Sequence, residues 1–113
     1  MFNIDVVPSN LNQALEILDT LEEEDKRNLK EEGHIGVHFS LGWYLRKYWS
    51  LWEKDTPLVL WFKEKEISHA DDMSSIILEA YACKLRGTEY DINSHISSIK
   101  KHWKSFGLES NSF

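Results

Sequence analysis

Apolar residues recur at intervals of three and four along most of the chain, the spacing that places side chains on one face of an α-helix. The pattern predicts helices that begin after Asn10 and Asp91, which are good N-caps, and at Pro57, which suits the first helical position. A further helix, capped by Asp71 or Asp72, continues the same spacing. The chain therefore reads as a series of amphipathic helices.

Between residues 20 and 32 the chain is strongly polar, with acidic residues ahead of basic ones, as the helix macrodipole favours. This segment predicts a short, exposed second helix that ends at Gly33. Gly87 and Gly107 are expected to end the last two helices, because glycine readily adopts the left-handed conformation at C′. The charged run is either a solvated helix face, which we favour, or a docking site for a basic partner.

Residues 34–52 form the most apolar helical stretch and contain three of the five tryptophans. Helical spacing predicts a broad buried face made by Val37, Leu41, Tyr44, Leu45, Tyr48 and Trp52. A second stripe, Phe39, Trp43 and Arg46, lies on the opposite side. Since tryptophan and arginine are enriched at interfaces, this stripe is either covered by another helix of the chain or binds a partner.

The scarcity of helix breakers, with only two prolines and five glycines, favours an all-α fold. We expect one compact domain over residues 1–113, a bundle of five or six helices around a central aromatic-rich helix at about residues 34–52. Residues 1–9 are expected to form a short extended arm and residues 108–113 a frayed tail.

The chain carries 13 Lys and Arg against 19 Asp and Glu, a formal net charge of −6. Because this charge repels phosphate backbones, we expect no nucleic-acid partner. No apolar run approaches the length of a membrane span and no signal-peptide pattern is present, so we expect a cytoplasmic protein that does not enter membranes. Cys83 is the single cysteine, which excludes an internal disulfide.

Candidate chemistry rests on a few histidines and aspartates. His34 and His38 have the i,i+4 spacing that can place two imidazoles on one metal ion, and the stretch containing His69, Asp71 and Asp72 could complete such a site. The glutamate of a zinc-protease helix is missing, and no nucleophile motif or phosphate-binding loop is present. We favour hydrogen-bonded histidines and helix-capping aspartates, and assign no catalytic residue, metal ligand or cofactor.

Two segments, HFSLGWYLRKYWSLW at 38–52 and HADDMSSIIL at 69–78, resemble a family of small bacterial domains of unknown function. The family pattern is HFxLGxxLRxxWxLW followed by HxDDMSxIIL, and the resemblance covers most of the chain. The matching positions are His38, Gly42, Arg46, Trp49, Trp52, His69, Asp71, Asp72 and Met73. The resemblance implies an all-helical cytosolic domain and no particular activity.

We define the polar cluster as His38, Arg46, His69, Asp71 and Asp72. Arg46 is expected to pair with one of the two aspartates across two helices and so to set how those helices cross. The preferred function is a non-catalytic protein-interaction module. Within that class, one suggestion is an immunity-like protein that binds a basic partner, and another is self-association. The alternative is a small enzyme or metal-binding protein that uses the His/Asp cluster, which is His38, His69, Asp71 and Asp72. Convergence of these four residues in a cleft would favour it.

Overall fold

The computed structural model describes the backbone of residues 6–105 and the side chains of residues 6–32 and 40–105. Its helices are α1 (Leu11–Leu18), α2 (Glu23–Val37), α3 (Trp43–Tyr48), α4 (Pro57–Lys63), α5 (Ala70–Arg86) and α6 (Ile92–Ser105). A π-helical turn, His38–Gly42, joins α2 directly to α3. These six helices, with no strand within residues 6–105, confirm the all-α prediction.

The chain ends lie largely beyond the described residues. Residues 1–5 of the predicted arm fall outside them, as do Gly107 and the predicted tail at 108–113. Residues 6–8 have no regular secondary structure, and Pro8 is buried. The radius of gyration, 13.5 Å, is that of a compact chain of this length. None of the helices in residues 6–105 combines the length and apolar character needed to cross a bilayer.

Helix starts follow local capping chemistry. Asn10 Oδ1 accepts the Gln13 N–H at 2.9 Å at the start of α1, and Asp91 Oδ1 accepts the Ser94 N–H at 3.1 Å at the start of α6. Pro57 is the first residue of α4. These three starts are the predicted ones, because a capping side chain needs only neighbours within one turn.

The start of α5 differs from the prediction that Asp71 or Asp72 caps it. His69 is the N-cap, and its Nδ1 accepts the Asp71 N–H at 3.1 Å. With Nδ1 acting as acceptor, the neutral imidazole carries its proton on Nε2. Asp71 and Asp72 therefore lie inside the first turn of α5, where the helix macrodipole favours negative charge.

Gly33 does not end α2, so the prediction of a short second helix is wrong. The helix runs through Gly33 and Gly36 to Val37, and the π turn carries it on into α3. A glycine inside a helix costs only about 1 kcal/mol relative to alanine. The extensive packing of α2 on α5 outweighs that cost, since tertiary burial rather than propensity supplies most helical stability.

The π turn changes which side of α3 faces the core. A π turn closes i→i+5 hydrogen bonds, so the residues after it are rotated relative to an uninterrupted α-helix. Leu45 is buried as predicted, but the buried side continues with Arg46 and Trp49, while Tyr48 is only half-buried. The predicted single helix over residues 34–52 is thus the end of α2, the π turn, α3 and the turn that follows α3.

The chain reverses at Ser50 and ends α3 before Trp52. Ser50 has φ 53°, its N–H donates to the Lys47 carbonyl at 3.4 Å, and the Leu51 N–H donates to the Arg46 carbonyl at 3.1 Å. This is a Schellman motif with serine at the position where glycine is usual. The reversal buries Leu51 and leaves Trp52 64% exposed, so the prediction that Trp52 lies on a buried face is wrong.

α5 lies at the middle of the core. It packs against α1, α2, the π turn, α3 and α6. Its buried residues are Ala70, Met73, Ser74, Ile76, Ile77, Leu78, Ala80, Tyr81 and Ala82. Gly87 ends the helix as predicted, with φ 72°. The aromatic-rich stretch is therefore positioned by its packing against α5.

Candidate functional site

Part of the polar cluster assembles where α3 crosses α5. Arg46 Nε lies 3.3 Å from Asp71 Oδ1, and its Nη1 donates to Ser74 Oγ at 3.0 Å. Ser74 Oγ donates in turn to the Asp71 carbonyl at 3.0 Å. Arg46 is 8% exposed, whereas the Asp71 side chain is 49% exposed. The ion pair therefore has its cation in the core and its carboxylate at the edge of the solvent.

Asp72 is held by a different partner. Its Oδ2 accepts the indole N–H of Trp103 at 2.7 Å, which ties α6 to the first turn of α5. Burial raises the pKa of the Asp72 carboxyl above its ordinary value, and this outweighs the lowering effect of the Trp103 hydrogen bond. The His69 ring packs on Trp103, with ring centroids 5.4 Å apart, and meets Trp52 edge-on at 5.6 Å.

The histidine and aspartate side chains thus make structural contacts. Asp71 pairs with Arg46, Asp72 accepts from an indole, and His69 caps α5. The side chains of His38 and Phe39 lie outside the described residues. In the side chains of 6–32 and 40–105, no three His, Cys, Asp or Glu residues are grouped so that they could hold a metal ion.

Two tryptophans stand at the surface beside this cluster. Trp43 is 49% exposed and Trp52 is 64% exposed. Both line one open depression of about 350 Å³. We call it the tryptophan groove; its lining residues are Trp43, Arg46, Lys47, Ser50, Trp52 and Glu53. The sequence placed Trp43 and Arg46 on one stripe, and the structure brings both to this groove, with Arg46 at its buried side.

A second depression, of about 380 Å³, adjoins the tryptophan groove. Trp52 and Glu53 line both depressions. We call the second one the lysine groove; its other lining residues are Leu51, Lys54, Lys63, Ser68 and His69. Lys63 Nζ donates to the Lys54 carbonyl at 3.1 Å, which joins α4 to the loop after α3. The sequence pattern placed Trp52 on a buried face and gave no signal for these lysines, because no glycine or proline marks the reversal at Ser50.

A larger depression, of about 520 Å³, lies between α2 and the end of α5 but offers less to a ligand. Leu85 is the one apolar side chain among the described residues that line it. Several of its charged groups already have partners: Lys26 pairs with Glu23 at 3.5 Å, and Arg86 Nε donates to the Lys30 carbonyl at 2.8 Å. The tryptophan groove, which combines exposed indoles with charge, is the better candidate binding site.

Comparison with known protein families identifies a relationship. A family model described as "Domain of unknown function (DUF6794)" matches residues 7–85, a range that includes both segments on which the resemblance rested. No curated protein and no solved structure shows a significant match.

Proposed function

The chain belongs to the DUF6794 family, whose function is unknown, and we propose that it is a non-catalytic protein-interaction module that uses the tryptophan groove as its contact surface. One observation carries the proposal: Trp43 and Trp52 are both exposed and both line the same depression. Neighbouring exposed tryptophans are uncommon on a monomeric surface, and tryptophan is the residue type most typical of interface anchors.

In the isolated chain, the exposed indoles lack the transfer free energy that burial would provide. A tryptophan side chain can bury about 200 Å² of surface, so a half-exposed one forgoes roughly 2–3 kcal/mol of transfer free energy. A partner that covers Trp43 and Trp52 would recover it. The groove is also well supported, because Arg46 is held by Asp71 and the reversal at Ser50 is closed by two backbone hydrogen bonds. Such support lowers the entropy lost on binding.

The net charge of −6 supports a finer hypothesis, an immunity-like role in which the chain neutralises a basic protein. Negative charge is densest in the run EEED at 22–25, at the start of α2. A basic partner would be attracted to that run. The enzyme or metal-protein alternative gains no support, because the described members of the His/Asp cluster serve as a helix cap, an ion pair and an indole acceptor.

The test begins with the intact protein immobilised as bait in a lysate of its own source organism. Each captured protein is identified, purified and titrated by calorimetry against wild type, Trp43→Ser and Trp52→Ala. The matched control is Leu60→Ala, since Leu60 is a similarly exposed apolar residue, 46%, outside both grooves. A loss of affinity of tenfold or more for the tryptophan variants, with none for the control, is the expected result.

Self-association is tested by light-scattering chromatography on the same variants. A wild-type dimer that Trp43→Ser dissociates would identify a second copy of the chain as the partner. The proposal fails if wild type is monomeric and every captured protein binds Trp52→Ala as tightly as it binds wild type.

A further inference from the structure

We propose that the tryptophan groove and the lysine groove together receive an acidic protein segment, with an apolar anchor on Trp43 and Trp52 and carboxylates on the lysines around them. The inference rests on the proposed function and adds the chemistry of the occupant. The net charge of −6 favours a basic partner for the chain as a whole, whereas this surface favours an acidic one.

The first observation is the sign of the charge around Trp52. Lysines from three places surround it: Lys47 from α3, Lys54 from the following loop and Lys63 from α4. Glu53 is the only carboxylate lining either groove in the described part of the chain. Arg46 adds no net charge here, because Asp71 compensates it. The surface around Trp52 is therefore positive on a chain that is negative overall.

The second observation is that two of these lysines are already positioned. Lys47 Nζ lies 5.0 Å from the centroid of the Trp43 ring and 5.3 Å from that of Tyr48, within the range of cation–π attraction. Lys63 Nζ donates one hydrogen bond to the Lys54 carbonyl, and an ammonium group has three donors. A carboxylate that meets either lysine pairs with a side chain whose freedom is already restricted, which lowers the entropy cost of binding.

The third observation is the arrangement of charge and apolar surface. Trp52 and Glu53 line both grooves, Lys47 lies in one, and Lys54 and Lys63 lie in the other. An extended or helical segment with its apolar anchor on Trp52 would therefore carry carboxylates on both sides of that anchor. This charge complementarity favours a short acidic segment over a nucleic acid. Three lysines neutralise only a short stretch of a phosphate backbone, and the rest of that backbone would meet a chain whose net charge is −6.

The test uses the intact protein to select short binding peptides from a randomised display library. The best peptide is then synthesised in three versions: as selected, with its carboxylates replaced by amides, and with its carboxylates replaced by lysines. Affinity is measured by tryptophan fluorescence and calorimetry at low and physiological salt. We expect enrichment of an aromatic or aliphatic residue flanked by Asp or Glu, with about 5–10-fold weaker binding of the amide version, as expected for the loss of two or three exposed ion pairs.

Variants of the protein test the contribution of the lysines. Lys63→Glu and Lys54→Glu should each weaken the selected acidic peptide by about fivefold or more, and the lysine version of the peptide should regain affinity for them. Lys101→Glu is the matched control, because Lys101 is an exposed lysine of α6 that lines neither groove. Equal thermal midpoints for the three variants show that each keeps the fold. If Lys63→Glu does not fold, Lys54→Glu alone provides the test.

The outcomes separate this inference from the proposed function. Selection of uncharged or basic peptides that still require Trp52 would overturn the acidic partner and leave the interaction surface intact. Peptides that bind Trp52→Ala as well as wild type would overturn both proposals. A single-stranded oligothymidylate that binds more tightly than any selected peptide would assign the positive surface to nucleic acid and overturn the inference. Failure to enrich any peptide would also overturn it.

Discussion

The ion pair between Arg46 and Asp71 makes a sharp prediction, because its two ends lie in different environments. Among the described side chains, Asp71→Ala leaves the buried guanidinium with Ser74 as its hydrogen-bond partner, whereas Arg46→Met leaves a carboxylate that is already half in water. The two substitutions break the same pair. We expect them to destabilise the fold by different amounts.

The magnitudes follow from the burial of each end. Breaking a fully buried pair costs about 3–5 kcal/mol, and an exposed pair contributes about 0–1 kcal/mol. We therefore expect Asp71→Ala to lower the free energy of unfolding by about 2–3 kcal/mol, part of it the macrodipole interaction in the first turn of α5. Arg46→Met keeps the apolar stem of the side chain, so its cost should stay below about 1 kcal/mol.

Urea unfolding followed by circular dichroism measures these differences, and the double variant completes a cycle. Because the macrodipole contribution is present in both backgrounds, the cycle isolates the pair, and we expect a coupling energy of about 1–2 kcal/mol. Thermal unfolding should agree, with a shift of roughly 4–6 °C for each kcal/mol at this chain length. The reasoning is refuted if Arg46→Met is the more destabilising change, or if Asp71→Ala costs the same in both backgrounds.

Three further predictions concern the tryptophans, Asp72 and Gly87. Trp52→Ala should change the free energy of unfolding by less than about 0.5 kcal/mol, whereas Trp49→Ala, at a fully buried position, should cost about 3–5 kcal/mol; equal costs in parallel urea titrations would contradict the exposed placement of Trp52. Burial raises the pKa of the Asp72 carboxyl in the folded chain above its value in the unfolded chain. Its contribution to stability is therefore fully present at low pH, where both states hold the proton, and wild type loses this stability as the pH rises through the folded pKa. Asp72→Asn, whose Oδ1 can still accept from Trp103, should gain stability relative to wild type between about pH 3 and pH 7, and a pH-independent difference would be inconsistent with that cause. Gly87→Ala should lower the free energy of unfolding by about 1–2 kcal/mol. The cost comes from the left-handed backbone alone, since an added Cβ meets nothing within 4 Å, and Gly87→Asn should cost less. A thermal midpoint unchanged in the alanine variant would show that this backbone is not strained.

The predictable parts of the fold depend on interactions within one or two helical turns. The starts at Asn10, Pro57 and Asp91 and the end at Gly87 follow from capping groups and backbone preferences that involve only near neighbours. Gly33 shows the limit of such reasoning. A glycine is compatible with both a helix end and a helix interior, and the packing of α2 on α5 selects the interior.

The candidate site was only partly predictable for the same reason. Sequence spacing placed Trp43 and Arg46 on one stripe, yet the structure exposes the first and buries the second. It also placed Trp52 in the core, and the reversal at Ser50 puts it at the surface. A serine at the C′ position and a π turn carry no distinctive sequence signal, so neither change of direction could be read from the spacing.

The sequence by itself determined that the chain is all-helical, where most helices begin, and that its aromatic residues concentrate in one stretch. Only the tertiary structure decided which side of that stretch packs on α5, which tryptophans remain in water, and that lysines from α3, α4 and their connecting loop meet around Trp52. The physical reason is that hydrogen-bonded turns are local, whereas burial is a competition among surfaces distant in sequence, settled when the helices pack together.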